Sequence, residues 1–447
     1  MNPINDEIFK AYDIRGRYPE QINEGAARSI GWGFGKSGLI KTDRPVVLGR
    51  DMRDSSAPLF EAILEGLNTA GISAIDIGRC TTPMLYYAVN TLEAGGGVMI
   101  TASHNPAGYN GFKFVRERAI PVSAESGLRE IQRESGRAPP RIGKGKNNLT
   151  SENITSDYLD FFARRFSIEL DRTAVIDAGN GMAGLILPAV LEAQNILHRD
   201  MYFEPDGSFP HHQANPLIQE NLEDLQAEML KHPGSIGVAF DGDGDRVGFL
   251  DEDGELVPGD LLTALLARRL LEQQGPGTVL YDLRSSRVVP EVVRASGGHP
   301  IKTRVGHSFI KGLMRKEKAL FAGELSCHFY FRDFFYCESG ILAMLRLFEI
   351  LSESGKSLSS LVGPLRRYAR SGEVNFTVTD QEKAMNRVQE RFSAGDVSRL
   401  DGLSIDFEDW WFNLRPSNTE PLLRLNLEAD TEELMRERLA ELQGVLR

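Results

Sequence analysis

Residues 99–114 read Met-Ile-Thr-Ala-Ser-His-Asn-Pro-Ala-Gly-Tyr-Asn-Gly-Phe-Lys-Phe. The apolar run 98–100 stops at a cluster of Ser, His, Asn, Pro and Gly, which is typical of a buried strand followed by a loop. This loop brings a hydroxyl, Ser103, next to a possible proton carrier, His104, with the cation of Lys113 further along. Such a set suits the transfer of a charged group to and from a serine, although a solvated turn has a similar composition.

Around this loop, short apolar strands alternate with helical segments, which predicts a largely parallel α/β sheet. The first series has strands at 46–49, 73–77 and 98–100 and helices at 56–70 and 84–94. A second has strands at 174–177 and 235–240 with a helix near 185–193, and a third has strands at 278–282, 301–303 and 319–322 with a helix near 287–295. Strands at 374–378, around 403–413 and at 422–427, with helices near 382–392 and 432–446, predict a smaller α+β piece.

A second polar loop, Asp241-Gly242-Asp243-Gly244-Asp245-Arg246, follows the predicted strand 235–240. Glycines between the carboxylates allow the backbone to bend around a hard cation such as Mg²⁺ or Ca²⁺. A calcium helix-loop-helix site requires Gly at the sixth loop position, where this chain has Arg246, although Glu252 does stand at the twelfth. The sequence therefore favours Mg²⁺, with a calcium loop and a plain acidic turn as the alternatives.

Two further loops offer groups that bind sugars and phosphates. Gly323-Glu324-Leu325-Ser326-Cys327-His328 contains side chains that can hydrogen-bond sugar hydroxyls, and a structural turn is equally compatible with it. Arg415-Pro416-Ser417-Asn418-Thr419-Glu420-Pro421 combines a guanidinium, hydroxyls and an amide, which suit a phosphate. Four such loops together indicate phosphoryl transfer on a small polar molecule, because this chemistry depends on positioning and charge neutralisation.

The predicted fold class is α/β, with three α/β domains that have mixed or parallel sheets and a smaller α+β C-terminal domain. We expect domains at 1–150 with the serine loop, 151–252 with the metal loop, 253–368 with the sugar loop and 369–447 with the phosphate loop. The basic stretch 137–148 is a candidate linker or surface excursion. Each loop follows a strand, and open α/β sheets bind ligands at the carboxyl ends of their strands, so we expect the active site in a central cleft.

Composition limits the partners and the compartment. The net charge of −12, from 51 basic and 63 acidic residues, argues against nucleic acid as the main partner. Three cysteines, Cys80, Cys327 and Cys337, predict a reducing cytoplasm rather than a disulfide framework. The first ten residues do not resemble a signal peptide, and no apolar run approaches the length of a membrane span.

The segment Gly31-Trp32-Gly33-Phe34-Gly35-Lys36-Ser37 lacks the first glycine of an ATP-binding loop and predicts a closely packed helix instead.

The chain resembles the α-D-phosphohexomutase family, in its phosphomannomutase/phosphoglucomutase branch. The matching segments follow the family's order along nearly the whole chain: AYDIRG at 11–16, TASHNP at 101–106, NGFK at 110–113, DGDGDR at 241–246, GHS at 306–308, GELSCH at 323–328 and RPSNT at 415–419. The resemblance implies an isomerase in which phosphorylated Ser103 donates its phosphate to a hexose 1-phosphate. The resulting hexose 1,6-bisphosphate, also the activator, would turn round and return its other phosphate to Ser103, leaving a hexose 6-phosphate.

The resemblance also assigns roles to residues. Mg²⁺ would be bound by Asp241, Asp243, Asp245 and an oxygen of the Ser103 phosphate. The implied catalytic residues are Ser103, His104, Lys113, Arg15, Arg246, Arg284 and His307. The implied substrate-binding residues are Glu324, Ser326 and His328 for the sugar and Arg415, Ser417, Asn418 and Thr419 for the phosphate that does not react.

Two positions depart from the family pattern. Arg284 stands where the family often has a lysine proposed as acid or base, and a guanidinium does not give up its proton near neutral pH. Arg284 is therefore expected to be a fixed cation, and His307 and Lys113 become the better acid/base candidates. Cys327 stands where the family usually has glycine, and its side chain is expected to narrow the sugar site.

Several functions remain open at this level. Hexose phosphates of mannose or glucose are the expected small-molecule partners, because Gly244 resembles that branch, whereas the glucosamine branch usually carries alanine. A phosphoglucosamine mutase, a metal-dependent sugar phosphatase with a transient phosphoserine, and a sugar-phosphate-binding regulator without catalysis are the alternatives. We expect a cytoplasmic monomer or homodimer with no membrane partner.

Overall fold

The computed structural model describes residues 4–139, 148–416 and 422–446. They form two compact units. Unit 1 comprises residues 4–139, 148–257, 306–321 and 326–359, and unit 2 comprises 258–305, 322–325, 360–416 and 422–446. Most of the predicted linker 137–148 lies outside the described residues.

The first sheet of unit 1 carries the serine loop. Its strands are β1 (Ile14–Arg17), β2 (Val46–Arg50), β3 (Ala74–Arg79), β4 (Gly96–Ile100), β5 (Tyr109–Arg116) and β6 (Leu149–Ser151), and the accompanying helices are α1 (Glu24–Lys36), α2 (Ser56–Thr69), α3 (Thr82–Thr91) and α4 (Arg129–Ser135). The strand order is β1-β5-β4-β2-β3-β6. Strand β2 pairs in parallel with β3 and β4, whereas β5 runs antiparallel to both β4 and β1.

Helix α1 packs closely on α2, as the glycine-rich segment 31–37 predicts. A Cβ atom on Gly31 would collide with the backbone oxygen of Ile63 in α2. Ile30 and Phe34 on α1 and Leu67 on α2 are fully buried in the core of this domain. The glycine thus serves helix packing and not nucleotide binding.

The second sheet of unit 1 carries the metal loop. Its elements are helix α5 (Thr155–Ala163), strand β7 (Ala174–Asp177), helix α6 (Leu187–Ala193), strand β8 (His198–Met201), helix α7 (Glu223–Met229) and strands β9 (Ile236–Phe240), β10 (Val247–Leu250) and β11 (Leu256–Val257). The strand order is β11-β10-β9-β7-β8, with β9 parallel to β7 and antiparallel to β10. The acidic loop 241–246 is the turn that connects β9 to β10.

The third α/β segment contributes to both units. Its elements are α8 (Gly259–Gln274), β12 (Thr278–Asp282), α9 (Val288–Ala295), β13 (His299–Thr303), α10 (His307–Glu317), β14 (Phe321–Gly323), β15 (Phe329–Phe331), β16 (Cys337–Glu338), α11 (Gly340–Ser354) and α12 (Leu358–Val362). Strands β12 and β13 pair in parallel in unit 2. Strands β15 and β16 pair antiparallel in unit 1.

The C-terminal part of unit 2 is an antiparallel sheet with two helices. Its elements are β17 (Ala369–Thr377), α13 (Gln381–Arg391), β18 (Asp396–Ser398), β19 (Leu403–Asp406), β20 (Trp410–Pro416), β21 (Leu422–Ala429) and α14 (Glu432–Leu446). The strand order is β17-β21-β20-β19-β18. The predicted fold class, three α/β domains followed by an α+β domain, is confirmed.

Element boundaries differ from the prediction where polar groups decide them. Helix α3 begins at Thr82 rather than near residue 84, because the Thr81 hydroxyl accepts a hydrogen bond from the amide of Met84 and caps the helix. Strand β5 was not predicted, since Asn110, Gly111 and Lys113 interrupt its apolar pattern. All three are nevertheless buried, because β5 lies between β1 and β4.

Candidate active site

Ser103 lies in the loop that connects β4 to β5, just past the carboxyl end of β4. Its side chain is buried, and its backbone has φ of 52°, in the left-handed region that residues other than glycine seldom adopt. Its amide donates a hydrogen bond of 2.9 Å to the Thr101 hydroxyl. Strained conformations of this kind persist only where the surroundings hold them, and they are frequent at functional sites.

The Ser103 hydroxyl contacts two possible proton acceptors. Its Oγ lies 2.8 Å from Oδ2 of Asp241 and 3.1 Å from Nδ1 of His104. Burial, followed by the positive charges of Arg246 and Arg15, holds the pKa of His104 well below its usual range. The imidazole is therefore neutral at neutral pH, and its Nδ1 can accept the proton of the hydroxyl. The structure thus places the predicted hydroxyl and proton carrier in direct contact.

The three carboxylates of the acidic loop converge. Asp241, Asp243 and Asp245 are all buried, and one oxygen from each lies within 4.8 Å of the others. Gly242 permits this arrangement, because a Cβ atom there would collide with the carbonyl oxygen of Ser103. Burial, followed by the negative charges of Asp245 and Asp243, raises the pKa of Asp241 well above its usual range. Buried carboxylates that repel each other in this way are suited to a hard divalent cation.

A second observation, an unpartnered oxygen of Asp243, also indicates that the three carboxylates can bind a metal ion. Oδ1 of Asp243 is buried and accepts no hydrogen bond from any residue that the structure describes. Its other oxygen, Oδ2, accepts hydrogen bonds from Thr82 at 2.5 Å and from Lys113 at 2.6 Å. A buried carboxylate oxygen without a partner is costly, and a cation would satisfy it.

Lys113 is the counter-ion of this triad. Its Nζ lies 2.6 Å from Oδ2 of both Asp243 and Asp245. Burial acts to lower the pKa of Lys113, but the two carboxylates outweigh burial and raise the pKa above its already high range. Lys113 therefore keeps its proton at neutral pH, which favours a fixed cation over the acid or base that the sequence suggested.

Arg15, Arg246 and His328 surround the two loops. Arg15 donates to Oδ1 of Asn105 at 2.5 Å and to Oδ2 of Asp13 at 2.6 Å, which ties it to the serine loop. Nε of Arg246 donates to Nε2 of His328 at 3.2 Å, and the same Nε2 lies 3.2 Å from Oδ1 of Asp245. These predicted site residues therefore meet at the serine and acidic loops.

His307 lies beside a buried charged cluster that the sequence did not predict. Nζ of Lys311, which is fully buried, donates to Oε1 of Glu338 at 2.9 Å and to the Tyr86 hydroxyl at 3.1 Å. The Nδ1 atom of His307 lies 3.7 Å from the same Oε1, and the His307 ring packs edge-on against Tyr12 at 5.1 Å. Burial, followed by the charges of Lys311 and Lys113, holds the pKa of His307 well below its usual range, so His307 is neutral.

We expect Lys311→Met to lower the stability of unit 1 by about 3–5 kcal/mol, because it leaves the charge of Glu338 buried without its cation. Urea unfolding followed by circular dichroism measures the shift of the transition midpoint. Lys316→Met, on the exposed side of the same helix, is the control and should shift stability by at most about 0.5 kcal/mol. Adding Glu338→Gln to Lys311→Met should recover most of the loss, and equal midpoints for Lys311→Met and the control would contradict this account.

In unit 2, Arg284 lies in the loop after β12. Its Nε and Nη2 atoms donate to the two carboxylate oxygens of Asp282, at 3.2 and 2.7 Å. Burial acts to lower the pKa of Arg284, but the carboxylate of Asp282, followed by those of Glu324 and Glu373, raises it further above its high ordinary value. The geometry therefore favours the fixed cation expected from the sequence.

Arg415, at the end of β20, belongs to a cluster of arginines in unit 2. Its Nη2 lies 3.8 Å from Glu373, and Nη1 of Arg424 lies 3.5 Å from the other oxygen of the same carboxylate. Burial, followed by the positive charge of Arg284, lowers the pKa of Arg415. Guanidinium groups are suited to binding phosphate, because their planar N–H donors match its oxygens. Ser417, Asn418 and Thr419 lie outside the described residues.

In the predicted sugar loop, Glu324 and His328 are buried and Ser326 is half-buried. Glu324 belongs to unit 2, where the next residue, Leu325, donates its amide to Oδ2 of Asp282 at 2.8 Å. Ser326 and His328 belong to unit 1, with Oγ of Ser326 3.2 Å from Nδ1 of His328. Between them, Cys327 has φ of 63°, a left-handed conformation that favours glycine, the residue the family usually carries there.

Family models match the chain from end to end. They describe phosphoglucomutase/phosphomannomutase α/β/α domain I at residues 6–138, domain II at 156–254, domain III at 258–368 and the C-terminal domain at 373–444. No helix among the described residues is long and apolar enough to cross a membrane.

Individual proteins match over similar lengths. Phosphohexose mutases of Xanthomonas campestris pv. campestris are 40% identical over 98% of this chain and 99% of theirs, and a phosphomannomutase of Escherichia coli K12 is 40% identical over 94% of both chains. A crystal structure of a phosphoglucomutase/phosphomannomutase family protein from Burkholderia thailandensis superposes with a TM-score of 0.89 at 30% identity, covering 99% of this chain and 97% of that one. The chain belongs to the phosphoglucomutase/phosphomannomutase family. It is a phosphohexomutase, an isomerase of carbohydrate metabolism that interconverts hexose phosphates.

Proposed function

We propose that this enzyme interconverts the 1-phosphates and 6-phosphates of mannose and glucose through a phosphoserine at Ser103 and a hexose 1,6-bisphosphate. The observation that carries the proposal is the 2.8 Å contact between Oγ of Ser103 and Asp241, inside a buried set of three carboxylates. The E. coli and Xanthomonas relatives, named phosphomannomutase and phosphohexose mutases, support this choice of sugars.

In the first half-reaction, a sugar hydroxyl oxygen bonds to the phosphorus of phosphorylated Ser103 as the bond between phosphorus and Oγ breaks. Asp241, Asp243, Asp245 and the Ser103 phosphate would hold Mg²⁺, which would offset the negative charge on the transferring group. The sugar hydroxyl must lose its proton, and neutral His307 is the proposed base, because Lys113 and Arg284 both retain their protons. The departing serine oxygen takes up a proton from solvent water. Neutral His104, 3.1 Å from Oγ, would accept this proton when the second half-reaction phosphorylates Ser103 again, and would return it to solvent.

Two sets of side chains are proposed to recognise the rest of the substrate. The arginine cluster of Arg284, Arg415 and Arg424 would bind the phosphate that stays on the sugar. We propose that Ser417, Asn418 and Thr419 extend this phosphate site and that Glu324, Ser326 and His328 bind sugar hydroxyls. A site that recognises a phosphate independently of the carbon that carries it suits a bisphosphate that must bind in two orientations.

The test is turnover of mannose 1-phosphate and glucose 1-phosphate, with Mg²⁺ and a trace of glucose 1,6-bisphosphate. We expect both 6-phosphates to form, and the ratio of kcat/KM values gives the preference between the two sugars. Release of inorganic phosphate at a comparable rate would identify a phosphatase instead. Turnover of glucosamine phosphate alone would place the enzyme in the aminosugar branch.

We further propose that the enzyme acts in the cytoplasm as a monomer or homodimer, without a nucleic-acid or membrane partner. The net charge of −12 opposes binding to nucleic acid, and the three cysteines are buried and form no disulfide among the described residues, which suits a reducing compartment. Size-exclusion chromatography with light scattering measures the molecular mass, and a mass above that of a dimer would overturn the assembly proposal.

A further inference from the structure

Arg53 uses every N–H donor of its guanidinium inside unit 1, although no predicted role involves it. The residue follows β2, and its side chain is only 1% exposed. Nη1 donates to the carbonyl oxygens of Pro106 and Tyr109 at 2.8 and 3.1 Å. Nη2 donates to those of Ser103 and Asn105 at 3.0 and 2.6 Å. Nε donates to Oδ2 of Asp51 at 3.2 Å.

The four carbonyl acceptors all belong to residues 103–109, the loop that carries Ser103 together with the first residue of β5. The carbonyls that face the buried side chain of Arg53 need partners, and residues 103–108 belong to no strand whose ladder could supply them. One planar cation satisfies four of them at once and fixes their relative orientation. The carbonyl of Ser103 itself is among them, next to the left-handed backbone that directs its hydroxyl toward Asp241.

Arg53 is itself held in place. The carboxylate of Asp51 accepts from the Arg53 side chain and also from the Arg53 amide, at 3.0 Å. Ser56 donates to the same carboxylate at 2.5 Å. The ring of Phe209 covers the guanidinium, with its centroid 5.0 Å from Cζ. The guanidinium therefore has a fixed position against which the loop can be ordered.

We propose that Arg53 is a positioning residue for phosphoryl transfer, which holds the serine loop so that Oγ of Ser103 stays aligned with the acidic triad. This inference rests on the proposed phosphoserine function. A lysine would keep the charge but has three donors in a compact ammonium group, so it cannot bind four divergent carbonyls. A displacement of about 1 Å at a reacting atom can cost about a hundredfold in rate.

The experiment compares Arg53→Lys with Arg50→Lys, the same change three residues earlier. The Arg50 side chain pairs with Asp76 at 2.8 Å and lies over the ring of Phe60, both outside the serine loop, so Arg50 is a matched control. Intact-protein mass spectrometry follows phosphorylation of Ser103 by glucose 1,6-bisphosphate, and steady-state assays give kcat and KM. We expect Arg53→Lys to slow phosphorylation and to lower kcat about a hundredfold, with KM within about threefold of wild type. Arg50→Lys should behave as wild type.

Asp51→Asn keeps Arg53 but removes the negative charge that orients its guanidinium. If Arg53→Lys does not fold, Asp51→Asn tests whether Arg53 positions the serine loop. We expect a fall of about tenfold in kcat with little change in KM. If the Arg53→Lys variant folds, wild-type values of its kcat and phosphorylation rate would overturn the proposal. If only the Asp51→Asn variant folds, wild-type kinetics of that variant would overturn it. Failure of the wild-type enzyme to take up phosphate on Ser103 would instead overturn the proposed function.

Discussion

Ser103→Ala should lower turnover of hexose 1-phosphate by about a thousandfold or more, because Ser103 supplies the hydroxyl that contacts both Asp241 and neutral His104, whereas the Thr82 hydroxyl is bonded to Asp243. Binding of the substrate should persist, since the groups proposed to bind sugar and phosphate are unchanged. Coupled assays of 6-phosphate formation measure turnover, and isothermal titration calorimetry measures substrate binding. The variant should also take up no phosphate from glucose 1,6-bisphosphate.

Ser29→Ala is a suitable control for this change. Ser29 is also buried, in α1, where its hydroxyl donates to the carbonyl of Gly25 at 3.1 Å. We expect this variant to retain wild-type kcat, which separates loss of the nucleophile from the general effect of removing a buried hydroxyl. Turnover of Ser103→Ala at a rate near that of wild type would rule out Ser103 as the phosphate carrier.

Asp241→Asn should raise the Mg²⁺ concentration needed for half-maximal activity at least about a hundredfold, because it removes one charge of the three that would bind the ion. The thermal stabilisation that Mg²⁺ gives the wild-type enzyme should disappear as well. Without Mg²⁺, the variant should melt at or above the wild-type temperature, because the substitution relieves repulsion from Asp243 and Asp245. Scanning calorimetry with and without Mg²⁺ measures both effects.

Asp251→Asn provides the matched control, since Asp251 is a second buried aspartate in the same domain. It accepts hydrogen bonds from the amides of Asp253 and Glu255, which an asparagine oxygen can also accept, and it is not part of the triad. Its response to Mg²⁺ should equal that of wild type. A wild-type Mg²⁺ requirement in Asp241→Asn would show that the triad does not bind the ion.

The sequence predicted those features that depend on local pattern. Alternation of apolar strands with helices led to the fold class, and strands such as 278–282 begin and end where predicted. The spacing of Asp and Gly at 241–246 identified a candidate metal loop because each carboxylate there is close to the others along the chain. The Ser-His pair at 103–104 was found for the same reason, since its contact joins neighbouring residues.

Contacts between distant residues could not be predicted in this way. Lys113 interrupts the apolar pattern of β5, and its role as counter-ion depends on carboxylates that lie 130 and 132 residues later. Lys311 gives no sign in the sequence of being fully buried, because its partners Tyr86 and Glu338 come from other segments. Arg53 resembles an ordinary loop arginine until its acceptors, about 50 residues further on, are known.

The sequence by itself thus determined the order of the domains, the loops that carry the chemistry and the types of group they offer. These follow from residue identity and short-range periodicity, which are properties of the chain. Only the tertiary structure decided which of these groups keep their protons and which side chains fix the serine loop. Burial and the charges of distant segments set the protonation states of His104, His307 and Lys113. Both act on these side chains only after the chain has folded.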